Sequence, residues 1–307
     1  MCAAALLLAF SAKQGAAQVK FEESASKIAV SIDGKLFTEL QKGEAAHKPY
    51  LSPIFSASGK RITRGFPDET IPGDPTDHPH QRGIWMGYEH LSGMNLWELD
   101  PADPHPHMGV LRFDKVLEMH EGENSGMLVA AVSWLDQDGK PVIEQTLTLT
   151  FYAHTGERRL FDVEMQLKAL KEVTFEDERD GIFGIRLNPA FDEAKGGKLV
   201  NAEGVADAKP IEGKHSAWVD WQTVMDGETL GVTLMDSPKN HRAPTTWVTR
   251  PGCLLFANPF AQRYYDRTRE DGAMSLQKGD ELHLHYRVFI HPAGSDVAAA
   301  YKEFAAQ

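Results

Sequence analysis

The chain is poor in cysteine: its 307 residues include two, Cys2 and Cys253. Cys2 lies in MCAAALLLAFSAKQGAAQ, a short apolar run that ends in Gly15-Ala16-Ala17. Those small residues are placed for cleavage after Ala17, so residues 1–17 are expected to be the remnant of a secretory signal. Its removal leaves one thiol, which excludes an internal disulfide framework; Cys253 has no catalytic context and reads as core. No stretch approaches the ~20 apolar residues of a membrane-spanning helix. A periplasmic or secreted protein without a membrane span is the expectation. Positive charge is also scarce: 32 Lys and Arg stand against 44 Asp and Glu, a formal charge of −12. The basic residues are scattered and form no stripe, which argues against a nucleic-acid partner. There is no GxSxG elbow, no P-loop, no GxGxxG before a helix and no HExxH, so those enzyme classes have no footing.

Helical periodicity is nearly absent, and period-two patterns take its place. In LFDVEMQLK (160–168), Phe161, Val163, Met165 and Leu167 alternate with Asp162, Glu164, Gln166 and Lys168. QTLTLTFY (145–152) and ELHLHYRVFI (281–290) alternate in the same way. Such runs are half-buried antiparallel strands. Further strands are expected at 27–32, 35–40, 109–118, 126–135, 182–187, 229–235 and 253–257, separated by DG turns at 33–34 and 226–227 and by DQDGK at 136–140. SDVAAAYKEFAA at the C-terminus reads as a short helix capped by Ser295 or Asp296. The pattern predicts an all-β protein, a large antiparallel β-sandwich with a short C-terminal helix, as one domain over 18–307. Two long loop-like stretches, 41–108 and 236–270, are rich in aromatics, His and Arg, the wrong composition for disorder.

Titratable groups concentrate in DHPHQRG (77–83) and in IWMGYEHLSGMNLWE (84–98). His78 and His80 can lend and take protons near neutral pH, Asp77 can orient an imidazole, and Glu89 is an alternative base. Arg82 offers a planar fork for a carboxylate or paired hydroxyls, His90 adds a further polar group, and Trp85 offers a stacking face. Pro79 and Gly83 would fix the turn. His78 and His80, two residues apart on an extended segment, could instead ligate a metal, but H-x-H recurs in PHPH (104–107) and in HLH (283–285), the last on the polar face of a strand, where a solvated pair suffices. No metal or other cofactor is assigned. A second constellation spans 235–267, with Asn240, Arg242, Trp247, Arg250, Asn258 and Tyr264 as binding residues. In FEDERDGIFGIRL (175–187) the acids read as a solvated turn, while Arg186, set in an apolar strand, needs a buried partner.

PYLSPIFSASGKRITRGFP (49–67), DHPHQRGIWMGYEHLSGMNLWE (77–98), DGIFGIRL (180–187), PKNHRAPTTWVTR (238–250) and ANPF (257–260) occur in this order along the chain. The order resembles that of a family of bacterial proteins labelled methane oxygenase PmoA, the PmoA family. The resemblance implies an exported protein built on the large supersandwich of galactose mutarotase and acting in sugar breakdown. Positions matching the family pattern are Asp77, His78, His80, Arg82, Gly83, Asn240, Arg242, Trp247, Arg250 and Asn258. The chain departs from it at Gln81 and Val248, where the family has histidine, and at Pro251-Gly252, where it has Tyr-Gly; the lost imidazoles weaken a metal reading.

Together these readings predict an enzyme acting on a sugar or sugar acid by His and Glu proton transfer, as an epimerase, lyase or hydrolase. A non-catalytic glycan-binding protein and a metal-dependent enzyme are the alternatives. The partner is a small carbohydrate or oligosaccharide; the oligomeric state is not readable.

Overall fold

The computed structural model describes residues 18–307 except 103, 154, 155 and 251; the expected signal segment, 1–17, lies outside the described residues. The chain runs through β1 (Val19–Glu23), β2 (Lys27–Ile32), β3 (Lys35–Gln41), β4 (Tyr50–Ile54), β5 (Ile84–Tyr88), β6 (Val110–His120), β7 (Ser125–Leu135), β8 (Pro141–Tyr152) and β9 (Arg159–Ala169). It continues through β10 (Val173–Phe175), β11 (Gly181–Arg186), β12 (Lys198–Asn201), the one-turn helix α1 (Ala208–Ile211), β13 (Lys214–His215), β14 (Trp218–Met225) and β15 (Glu228–Asp236). It ends with β16 (Thr246–Arg250), β17 (Leu254–Asn258), β18 (Met274–Leu276), β19 (Glu281–Pro292) and α2 (Val297–Ala305). The strands form a nine-stranded sheet in the order β1-β2-β3-β4-β5-β11-β17-β16-β13 and an eight-stranded sheet in the order β12-β14-β15-β19-β9-β8-β7-β6, with β10 and β18 as a separate pair. All-β antiparallel architecture with a short C-terminal helix is what the alternation predicts. Asp296 caps that helix by accepting a 2.9 Å hydrogen bond from the Ala299 N–H.

Side chains of both sheets fill the core between them. Phe161, Val163, Met165 and Leu167 of β9 meet Ile84, Met86 and Tyr88 of β5 in one buried cluster. Phe183 of β11 stacks on Tyr286 of β19 with ring centroids 4.9 Å apart. Outside the eight-stranded sheet, α2 lays Phe304 over Arg287, whose guanidinium holds the equally buried Asp162 through hydrogen bonds of 2.5 and 2.7 Å.

The nine-stranded sheet is also covered on its other face. The register sets Tyr50, Trp85, Gly184, Phe256 and Val248 in one cross-strand row over five strands. Tyr50, Trp85, Phe256 and Val248 form a second apolar cluster with Trp97, which comes from the loop after β5. Gly184 makes this possible: a Cβ there would sit 2.9 Å from the Trp97 ring and 3.3 Å from the Trp85 ring. The two indoles, centroids 4.9 Å apart, pack on the bare backbone instead. Burying an aromatic ring of this kind removes about 150–250 Å² from water, about 4–6 kcal/mol at the usual coefficient and an upper bound. The stretch 41–108, read as a loop, therefore contains two strands at the centre of a sheet, β4 and β5. Both are buried on two faces, so their sequences do not alternate.

Candidate active site

On top of this outer cluster lies a cleft of about 310 Å³, lined by residues that include Asp77, His78, His80, Glu98, Arg179, Asp180, Arg186 and Arg250. Arg179 and Asp180 come from the segment before β11, and three further chain regions build the rest. The turn 77–83 precedes β5, Trp97 and Glu98 follow it, and Arg186, Leu254 and Arg250 project from β11, β17 and β16 in the next cross-strand row of the sheet.

The turn is organised by Arg64, whose guanidinium is shut off from solvent. Its Nη1 donates to the carbonyl oxygens of Pro75 and Asp77 and to Asp77 Oδ1, at 3.3, 2.8 and 2.9 Å. Its Nη2 donates to the carbonyl oxygens of His78 and Gln81, each at 2.9 Å. Burial, and next the charge of Arg186, bring Arg64 down to about 10, so it stays charged at neutral pH. Gly83 closes the turn at φ +51°, with its α-carbon so close to β4 that an added Cβ would lie 2.0 Å from the Leu51 carbonyl oxygen.

Arg186, buried in β11, finds its partners in this turn: Nη2 donates to Asp77 Oδ1 and Oδ2 at 3.0 and 3.2 Å, and Nη1 donates to Gln81 Oε1. Asp77 in turn holds His78, with Oδ2 2.6 Å from Nδ1. Burial works to raise the Asp77 pKa, but the His78 hydrogen bond and the Arg186 charge outweigh it and keep the carboxylate ionised. The result is an exposed imidazole oriented by a carboxylate that two buried arginines fix. His78 adopts φ +46°, a conformation uncommon for a non-glycine residue.

His80, two residues on, is buried, and its pKa is pushed down to about 2, by burial first and next by the charge of Lys48; it is neutral. Lys48 is fully buried beneath it. Its ammonium donates to the carbonyl oxygens of His80 and, at 3.2 Å, Trp97, and lies 5.2 Å from the Trp85 ring. At the other end of the cleft Arg179 binds Asp180 through Nε at 2.9 Å and through Nη2. The Glu89 backbone N–H donates to the Asp180 carbonyl oxygen at 2.9 Å. Burial, and next the Asp180 charge, push Glu89 up to about 8, so it carries its proton at neutral pH.

A family model described as a family of unknown function, DUF6807, matches residues 27–305. The chain belongs to that family. No curated protein matches it in sequence. Among solved structures, this DUF6807 member is similar to a heparinase III, with a TM-score of 0.39 and 8% identity over 93% of this chain and 35% of the other. It is similar to a protein assigned as an aldose 1-epimerase from Klebsiella pneumoniae subsp. pneumoniae, with a TM-score of 0.42 and 11% identity over 94% and 86%. It is also similar to a GalM/aldose epimerase homologue from C. elegans, with a TM-score of 0.37 and 9% identity over 89% and 99%. The chain spans about a third of the heparinase III.

Of the residues singled out in the sequence, the DUF6807 cleft gathers Asp77, His78, His80, Arg186 and Arg250, with Glu89 beside Asp180. Others stand elsewhere. Arg82 is tied by 2.5 Å bonds to Asp68 and Asp100, so its fork is committed to the protein. Trp85 and Trp247 are fully buried and cannot stack on a ligand; the Trp247 indole N–H donates 2.8 Å to the Ser216 carbonyl oxygen. Asn240 belongs to a depression on the eight-stranded sheet, bonded to Asp236 and the His285 backbone. Arg242 donates to the Gly272 carbonyl oxygen at 2.5 Å. Buried Asn258 donates to the carbonyl oxygens of Glu178 and Arg179, which makes it a support for the cleft rather than a wall. His90 and Tyr264 are exposed and do not line the cleft. The acids read as a solvated turn are structural: Asp177 accepts from the N–H groups of Gln262, Arg263, Tyr264 and Gly272 at 2.7–3.1 Å.

Sequence reasoning missed Arg64, Lys48, Trp97, Glu98, His105, Arg179 and Asp180. The available signals were PHPH at 104–107 and an arginine flanked by apolar residues in RITRGF. Among the described residues no helix is long and apolar enough to cross a membrane.

Proposed function

We propose that the cleft is the active site of an enzyme that moves a proton at the carbon next to a carboxylate in a small hydroxylated acid, a sugar acid, by epimerisation or β-elimination. The observation that carries this reading is the Asp77–His78 pair. With Nδ1 committed to Asp77, the free Nε2 of His78 is the proton acceptor, and the two arginines behind Asp77 keep the pair from reorienting. His78 takes the proton, and the electron pair moves into the substrate carboxylate. In epimerisation a proton returns to the opposite face; in elimination the β-oxygen leaves with its electron pair and picks up a proton. Glu89, protonated and joined to the lining residue Asp180, is the donor. A neutral acid and an oriented base are the pair such chemistry requires. Arg250, part-exposed and lining the cleft, is placed to hold the substrate carboxylate, while Arg179 gives its Nε–Nη2 edge to Asp180 and adds positive charge to the cleft.

The test is solvent-deuterium exchange into a panel of uronates and aldonates, followed by NMR. Exchange is expected with at least one member, and His78→Gln is expected to slow it by about 10²–10⁴-fold, the usual contribution of a general base. A ligand that raises the melting temperature but never exchanges would leave a binding protein and sink the enzymatic reading.

A further inference from the structure

We infer that His80, Glu98 and His105 form a binding site for one divalent transition-metal ion. One ligating atom from each lies within 4.8 Å of the other two. Bonds of about 2.0–2.2 Å to a shared ion place donors about 3–4 Å apart, so the three need to close by no more than about 1–2 Å. Glu98 Oε2 and His105 Nδ1 are already 3.2 Å apart. Two imidazoles and one carboxylate are borderline donors, suited to zinc, iron(II), manganese or cobalt, whereas calcium and magnesium ask for oxygen alone. Three protein ligands would leave a coordination position open to the cleft.

The surroundings hold this set as a built site. Asn95, itself buried, accepts from the N–H groups of Trp97 and Glu98 at 3.1 and 3.0 Å and donates from Nδ2 to Glu98 Oε2 at 3.0 Å. That aims the carboxylate as outer-shell partners aim metal ligands. Lys48 ties the backbone of His80 to that of Trp97, next to Glu98, so the two ligand-bearing segments keep their spacing. An ion pair between Glu98 and His105 explains two of the three residues but not the third. His80 is 3% exposed, and its Nδ1 is buried with no hydrogen-bond partner among the described residues. Leaving such a group without a partner costs about 1–3 kcal/mol, which an ion in the cleft would offset. His78 is outside the set of three whose ligating atoms lie together. The metal site therefore does not rest on the acid–base reading.

The experiment uses the full chain made without a histidine tag, stripped with EDTA and dialysed. Zinc is titrated by calorimetry, and cobalt(II) by its visible absorption. One ion per chain is expected, with cobalt bands of a nitrogen and oxygen site. His105→Ala, at a half-buried position, and Glu98→Gln, which keeps the side-chain shape, are each expected to weaken binding by about 100-fold or more, beyond the 10–100-fold of outer-shell changes. His78→Gln is expected to bind as tightly as the parent. The inference is overturned if no saturable ion binds, if both ligand variants bind like the parent, or if His78→Gln is the variant that loses the ion. Loss of deuterium exchange in His78→Gln with zinc binding intact separates the two proposals.

Discussion

Arg64→Met is expected to lower the stability of the fold by about 1–3 kcal/mol, the range for leaving a buried hydrogen-bonding group without its partner. The side chain donates to four backbone carbonyls and one carboxylate of the segment 75–81; the Asp77 carboxylate is shared with Arg186 and His78, and the His78 carbonyl with the Gln81 N–H. Methionine fills a similar volume but takes the Arg64 donor from the buried Gln81 carbonyl and from the part-buried carbonyls of Pro75 and Asp77, with penalties of about 1–3 kcal/mol that are not additive. Arg64→Lys is expected to recover little, because a point ammonium cannot serve both edges of the turn as a guanidinium fork does. Urea unfolding of both variants measures this, and a loss under about 1 kcal/mol for Arg64→Met would show that water, not Arg64, satisfies the turn.

The second large effect lies on the opposite side of the molecule. Asp162 and Arg287 pair across β9 and β19 beneath Phe304, with the Tyr152 hydroxyl donating 2.8 Å to the same carboxylate. Asp162→Ala would bury an uncompensated guanidinium and is expected to cost about 3–5 kcal/mol. The double change Asp162→Leu with Arg287→Met should recover much of that, since an apolar pair of similar volume is often neutral or better. The same pair predicts acid sensitivity. Burial alone would raise the Asp162 pKa, but the hydrogen bonds from Arg287, with His285 Nε2 3.5 Å away, outweigh it and hold the group below its ordinary value of 3.8. The native state thus binds fewer protons than the unfolded chain. The stabilisation is complete above about pH 4, the unfolded value, and is lost as pH falls through the folded value. Denaturant midpoints taken from pH 6 to pH 2 should fall less steeply in the double variant than in the parent; equal slopes would place the acid sensitivity elsewhere.

The sequence made legible the residues that face water on one side. Phe161, Val163, Met165 and Leu167 alternate because β9 has one face in the core and the other outside, and its register follows. IWMGY (84–88) has no period because the core takes Ile84, Met86 and Tyr88 while the outer cluster takes Trp85. Once both faces are buried, a tryptophan in the strand looks the same whether it floors a cleft or fills a core. That is why Trp85 and Trp247 read as stacking platforms and are not. For Arg186 the need of a partner was legible, since a charge in an apolar strand has few options. The partner's identity was not, because Asp77 is 109 residues away in the chain. Asn240 and Arg242 share a segment with Arg250, yet the register of β16 with β17 carries Arg250 alone to the cleft.

Lys48 turns the closed state of the cleft into something a chemist can time. A primary amine with no exposure, whose pKa burial, and next the charge of Arg82, hold well below the ordinary value, would be a potent nucleophile if a reagent could reach it. No acylating reagent can while its ammonium links His80 to Trp97. Acylation of Lys48 should therefore lag behind that of the surface lysines and proceed at the rate at which the two loops part. Mass-spectrometric labelling at that one position would then act as a clock for cleft opening, and a ligand or ion that clasps the loops together should slow it.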